Sequence, residues 1–314
     1  MGGNGACAAK CLTRSGLGLM MGAMSEPMIE PPPYVLTRPD RCGPLVFSSP
    51  HSGRYYPPTL MQASRLDAQS IRLSEDAYVD ELIGCAPSQG IGLICATYGR
   101  AYVDINRAAN ELDPSMFDEA FPLVQGAGAA RIAAGLGTIA KIVAEGREIY
   151  DGKLSLVEAA GRINQVHQPY HQALSALLDQ AMAQHGHALL IDWHSMPSAS
   201  TAKAGCDFVL GDRYGSACSP ALTRLVDQAL TGMGFAVARN VPYAGGYTTE
   251  HYGRPMDGVH ALQIEINRGL YLDEAQIQPG PGFLALQRAL VRLINIMGQT
   301  DWAVALGQGR RAMA

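Results

Sequence analysis

From residue 44 onward, short apolar runs alternate with longer stretches in which apolar residues recur every three to four positions. The runs at 44–49, 91–97, 188–193, 208–210, 235–238 and 261–266 are continuous and short, which predicts buried strands. The helical periods fall at about 70–86, 128–147, 155–185, 219–232 and 281–297, the fourth opening with Ser219-Pro220 at its first turn. Strands alternating with helices predict an α/β fold, a largely parallel sheet covered on both faces. No repeat and no internal linker divides the pattern. It predicts one domain over residues 31–300, a disordered Gly-, Ala- and Met-rich tail over 1–30 ending at Pro31-Pro32-Pro33, and a C-terminal tail over 301–314.

Composition narrows the function classes. The 314 residues carry 24 Lys+Arg against 28 Asp+Glu, a net charge of −4, so no broad basic field awaits a nucleic acid. The longest small and apolar run, 16–24, is nine residues, short of the ~20 that span a bilayer, and the Ala23-Met24-Ser25 at its end is a poor signal-peptide cleavage site. Neither a nucleic acid nor a membrane is an expected partner. Seven cysteines, an odd number without paired spacing, read as reduced thiols of a cytoplasmic protein. Cys7 and Cys11 have no second pair nearby to complete a metal site.

Ligands of open α/β sheets sit beyond the carboxyl ends of the strands, so polar residues there are the candidates for chemistry. His51 follows the first run and His194 follows 188–193. In 261–266 the apolar Leu262, Ile264 and Ile266 alternate with Gln263, Glu265 and Asn267, which share the other face. Two histidines and a carboxylate are the smallest ligand set for a catalytic zinc that keeps a position for water. Asp76 supplies the third ligand in this reading, although Asp76 and Asp80, four apart on the expected helix, also suit a solvated face. Asp192, two residues before His194, either holds the imidazole or is a buried carboxylate satisfied by backbone donors. Arg100, Asn106 and Arg107 cluster in one short segment, fit either to clamp an acidic substrate or to form a network with Asp104. His167 and His171 mimic a metal pair, but Pro169 between them and the lack of an acidic neighbour favour a structural or substrate-adjacent role. The glycine-bounded stretch 245–253 predicts a flexible covering loop. Neither a P-loop nor a nucleophile elbow occurs.

Taken together, Ser49-Pro50-His51-Ser52-Gly53, Asp76-Ala77-Tyr78-Val79-Asp80, Thr97-Tyr98-Gly99-Arg100 running into Asp104-Ile105-Asn106-Arg107, Asp192-Trp193-His194-Ser195, Gly245-Gly246-Tyr247-Thr248-Thr249-Glu250-His251-Tyr252-Gly253 and His260-Ala261-Leu262-Gln263-Ile264-Glu265 resemble the N-formylglutamate amidohydrolase family, in family order over about residues 44–275. Through its kinship with zinc carboxypeptidases and aspartoacylase-like deacylases, the resemblance implies a three-layer α/β/α sandwich around a mixed, mostly parallel sheet. It also implies one zinc per chain on His51, Asp76 and His194, with Glu75 the alternative to Asp76, and other divalent metals compatible with the same ligands. Glu265 is implied as general base and Asn106 with Arg107 as the substrate-carboxylate site, with Arg100 a second candidate for a further carboxylate and Tyr247 for oxyanion stabilisation. The implied reaction is hydrolysis of an N-formyl or other short N-acyl amino acid, N-formyl-L-glutamate first among them, as in histidine degradation. Glu250, and the absence of an arginine soon after His194-Ser195, depart from that pattern and remove positive charge near a pocket for a diacid.

Overall fold

The computed structural model describes residues 30–123, 128–201 and 205–307. Seven strands form one sheet: β1 (Tyr34–Thr37), β2 (Leu45–Ser49), β3 (Gly92–Ala96), β4 (Ala188–Met196), β5 (Phe208–Gly211), β6 (Val237–Arg239) and β7 (Val259–Asn267). Their spatial order is β1-β3-β2-β4-β7-β5-β6. Pairing is parallel throughout the centre, while β1 on β3 and β5 on β7 are antiparallel, so the sheet is mixed and mostly parallel.

Two apolar layers cover the sheet. Along β4, Leu189, Ile191 and Trp193 pack on one side with the helices Pro220–Gly232 and Phe283–Gln299, which supply Leu222, Val226, Leu290 and Leu293. Ala188 and Leu190 point to the other side, against Leu174 and Leu177 of the helix Gln168–His185. On that second side the strands change character toward their carboxyl ends. Leu190 is followed by Asp192 and His194, Val46 by Ser48, and Ala261 by Gln263 and Glu265. Period-two geometry keeps each series on one face, so an apolar floor passes into a polar site within a single strand.

Four expectations need correction. The expected helix over 70–86 is a 3₁₀ turn at Ser70–Ser74, an extended Glu75, and a short helix at Val79–Leu82 preceded by Tyr78 in the left-handed region. The break arises because the Asp76 N–H donates to the carbonyl of His51 at 2.9 Å, which ties the segment to the end of β2 instead of to its own turn. Within 128–147, only Ala129–Ala133 is α-helical; Gly135 at φ 77° ends that helix. The stretch 245–253 contains the helix Tyr247–Tyr252. The fold also continues past residue 300 through the helix Trp302–Ala305, whose Trp302 is buried and donates Nε1–H to the Met297 carbonyl at 2.9 Å. The period over 155–185 holds as Leu156–Arg162 and Gln168–His185, joined by a π-helical turn at Ile163–His167. Residues 1–29, with Cys7 and Cys11, and 308–314 lie outside the described residues. No helix among the described residues is long and apolar enough to cross a membrane.

Candidate active site

β2, β4 and β7 run parallel, and the register pairs Asp192 with Gln263 and His194 with Glu265. His51 follows β2 in the tight turn 50–53. There Gly53 lies so close to the Tyr98 carbonyl that a Cβ would sit 2.2 Å from its oxygen, so the turn requires glycine. These strand ends converge on a cavity of about 470 Å³.

His51, Asp76 and His194 meet at its floor, all buried, with one potential ligand atom from each lying within 4.8 Å of the others. The Nε2–H of His51 donates to Asp104 Oδ1 at 2.8 Å, and that of His194 to Asp192 Oδ2 at 2.9 Å. Both rings therefore turn Nδ1 toward Asp76: His194 Nδ1 is 2.9 Å and His51 Nδ1 3.4 Å from the same oxygen, Oδ2. Burial opposes charge on Asp76, yet the His194 and His51 imidazoles hold its carboxyl well below the usual range. His51 Nδ1 is buried without a hydrogen-bond partner, the state of a donor atom that awaits a cation. Two Nδ1 atoms and a carboxylate, each imidazole held at its far nitrogen by a carboxylate, fit a divalent metal. Glu75 is turned away, accepting hydrogen bonds from Tyr56 and Arg72. Asp192 also accepts from Ser48 Oγ at 2.8 Å.

Glu265 is buried beside this floor and accepts Gln263 Nε2–H at 2.7 Å. Burial, reinforced by the negative charge of Asp76, pushes its carboxyl up to about 7 against the opposing charges of His194, Arg100 and Arg268. Arg268, just beyond β7, donates to Asp76 Oδ1 at 3.0 Å and to Ser195 Oγ at 3.2 Å, fixing the oxygen that faces away from the imidazoles. Sequence reasoning overlooks Arg268 and treats Asp104 only as a bland partner of Arg107. Applying the strand-end criterion one residue past Asn267 finds the arginine.

Arg100 and Arg107 line the cavity next to Asp104. Arg100 Nε donates to Asp104 Oδ2 at 2.9 Å, and its two Nη atoms make no hydrogen bond among the described residues. Arg107 is held by the Leu136 and Asn106 carbonyls, with Nη2 3.8 Å from Asp104. Asn106 is buried under Gly246; its Oδ1 accepts the Thr248 N–H at 2.8 Å and its Nδ2 lies 3.1 Å from His194 Nε2. His167 and His171 donate Nε2–H to the carbonyls of Arg107 and Ile105, both at 2.8 Å, and so anchor the chain on either side of Asn106. Burial lowers His171 to about 3, which keeps it a neutral donor. Tyr247 is not brought to the cavity wall: its ring packs on His171 and His251, with centroids 5.4 and 5.0 Å away. Gly246 has no room for a side chain, since a Cβ would lie 2.5 Å from Asn106 Nδ2. Gly246→Ala is expected to lower unfolding stability by about 1–3 kcal/mol in urea titrations and to reduce turnover through displacement of Asn106.

An α/β sheet that gathers two histidines, a metal-competent carboxylate and a buried glutamate at its strand ends has the make-up of an amidohydrolase. The chain belongs to the N-formylglutamate amidohydrolase family, whose family model matches residues 43–272. It is 30% identical over 240 residues to an N-formylglutamate deformylase of Pseudomonas putida, covering 74% of this chain and 83% of the relative. An enzyme of the same name from Pseudomonas aeruginosa is 30% identical over 238 residues, with the same coverage. The crystal structure of an N-formylglutamate amidohydrolase from Ralstonia eutropha superposes with a TM-score of 0.79 at 36% identity, covering 85% of this chain and 97% of that one.

Proposed function

We propose that the protein hydrolyses the amide bond of N-formyl-L-glutamate, releasing formate and L-glutamate, with one zinc ion held by His51, Asp76 and His194. The observation that carries this reading is the pair of imidazoles that turn Nδ1 toward Asp76 and are each held at Nε2 by a carboxylate. A divalent cation bound there polarises an acyl carbonyl and makes a water acidic near neutral pH. Glu265 stands beside the floor and takes a proton from the water as its oxygen attacks the formyl carbon. The carbon–nitrogen bond then breaks, and Glu265 returns the proton to the departing amine. Arg100, by its two unbonded Nη groups, and Arg107, by Nη2, hold a substrate carboxylate, and Asn106 keeps this segment against His194. Fixing the substrate in this way removes several kcal/mol of orientational cost from the barrier. Asp192 and Asp104 keep both imidazoles in the ligating tautomer, and Arg268 orients Asp76. The reaction is one of histidine breakdown in the cytoplasm.

A second reading is cleavage of a larger N-acyl group, for which the whole cavity of about 470 Å³ leaves room. Metal analysis of the purified protein, combined with formate release from N-formyl-L-glutamate, tests the main reading. Zinc near one per chain with formate release is expected. Zinc with release only from longer N-acyl amino acids would favour the second reading, and a protein that neither binds a divalent metal nor cleaves any of them would overturn both.

A further inference from the structure

One guanidinium on the cavity wall has no part in the reaction above. Arg131, on the helix Ala129–Ala133, grips Glu111 with two prongs, Nε to Oε2 at 3.0 Å and Nη2 to Oε1 at 2.6 Å. Glu111 is 5% exposed at its side chain, and it is boxed in: a Cβ at Gly128 would lie 2.8 Å from its Cγ, and one at Gly137 would lie 2.4 Å from its carbonyl oxygen. The close Gly128 contact leaves the carboxylate little room to swing, and its two-pronged pairing fixes the guanidinium plane. Arg131 keeps 28% of its side chain exposed, lines the cavity, and leaves Nη1 without a hydrogen bond among the described residues. A guanidinium held on one edge by a fixed carboxylate presents its remaining N–H groups at little entropic cost.

The charges at this end of the cavity do not balance. Three guanidiniums, Arg100, Arg107 and Arg131, contact two carboxylates, and Asp104 is shared by Arg100, Arg107 and His51. Burial lowers the pKa of Arg107, Asp104 opposes that shift, and the like charges of Arg100 and Arg131 add to it. Arg100 and Arg107 are tied to the histidine floor through Asp104, whereas Arg131 lines the same cavity and is paired with Glu111 instead. A substrate whose first carboxylate meets Arg107 and whose scissile carbonyl reaches the floor has Arg131 left for a second anion.

Building on the deformylase reading, we infer that Arg131 is a specificity-determining residue that recognises the second carboxylate of a dicarboxylic N-acyl amino acid. The test compares N-formyl-L-glutamate with its uncharged isostere N-formyl-L-glutamine. In Arg131→Gln, the ratio of kcat/KM for the acid to that for the amide is expected to fall about 10- to 100-fold, the worth of a charge-assisted hydrogen bond, through KM for the acid. Turnover of the amide should stay within about twofold of the parent. Because Arg131→Gln leaves Glu111 unpaired, the double variant Arg131→Gln/Glu111→Gln is measured alongside it, and the same fall in ratio is expected. An unchanged ratio, or equal loss on both substrates in the double variant, would overturn the inference. Glutarate binding by calorimetry gives a readout that needs no turnover. If neither formyl substrate is cleaved, the deformylase reading fails on its own, and glutarate still decides the role of Arg131. Binding at least about tenfold weaker in the double variant upholds it; equal binding, or none to the parent protein, overturns it.

Discussion

Replacing Glu265 by glutamine is expected to abolish formate release while leaving the fold and the metal content intact. The side chain is isosteric and can keep one hydrogen bond to Gln263, so the cavity should be unchanged. What it loses is the ability to take a proton. A positioned general base contributes roughly 10²- to 10⁴-fold, and kcat should fall by that factor with little change in KM. The base acts in its ionised form, so kcat/KM of the parent enzyme rises with pH through the carboxyl's titration. Without a cation, burial puts that titration at about 7. Positive charge at the histidine floor favours the carboxylate and moves the acid limb to lower pH, so its midpoint should lie at or below about 7 in the loaded enzyme. A Glu265→Gln protein with near-parental turnover would remove the residue from the mechanism.

Metal removal should cost as much. Dialysis against a chelator is expected to lower formate release by at least about 10²-fold, since Lewis-acid stabilisation is worth several kcal/mol and each ~1.4 kcal/mol is tenfold in rate; zinc should restore it. Asp76→Asn should lose metal and activity together. Its Oδ2 faces both imidazoles while its Oδ1 accepts Arg268, so the amide leaves the arginine with a weaker partner and the two Nδ1 atoms without an anion. Metal retained at one per chain in Asp76→Asn, with full turnover, would take Asp76 out of the ligand set.

How much of this site can be read along the chain depends on how far apart its partners lie. β4 and β7 are legible because continuous apolar runs bury them, and His51, His194 and Glu265 stand out because polar groups at such strand ends need a reason. Asp76 reads as a ligand candidate on the wrong element: the residues around it have a helical pattern, but a backbone bond to His51, 25 positions earlier, overrides local propensity. β1 escapes notice as a four-residue edge strand between Pro33 and Pro39, with half of its side chains exposed. Arg268 reaches Asp76 across 192 positions, and Glu111 is fixed by glycines at 128 and 137; no local pattern announces either contact. The segment 128–147 shows helical spacing, yet after Gly135 its Ile139, Ala140 and Val143 enter the core from irregular backbone, a burial that spacing alone does not distinguish from a helix face.

The passage from apolar floor to polar site within single strands separates two kinds of change. His194 and Glu265 share their backbone with the most buried strands, so only replacements that keep their shape can alter the chemistry without disturbing the core. Arg131 and its surroundings lie off the sheet, joined to it through loops. If Arg131 reads the second carboxylate as inferred, changes around it can retune that preference while the groups on β4 and β7 are inherited unchanged with the sheet.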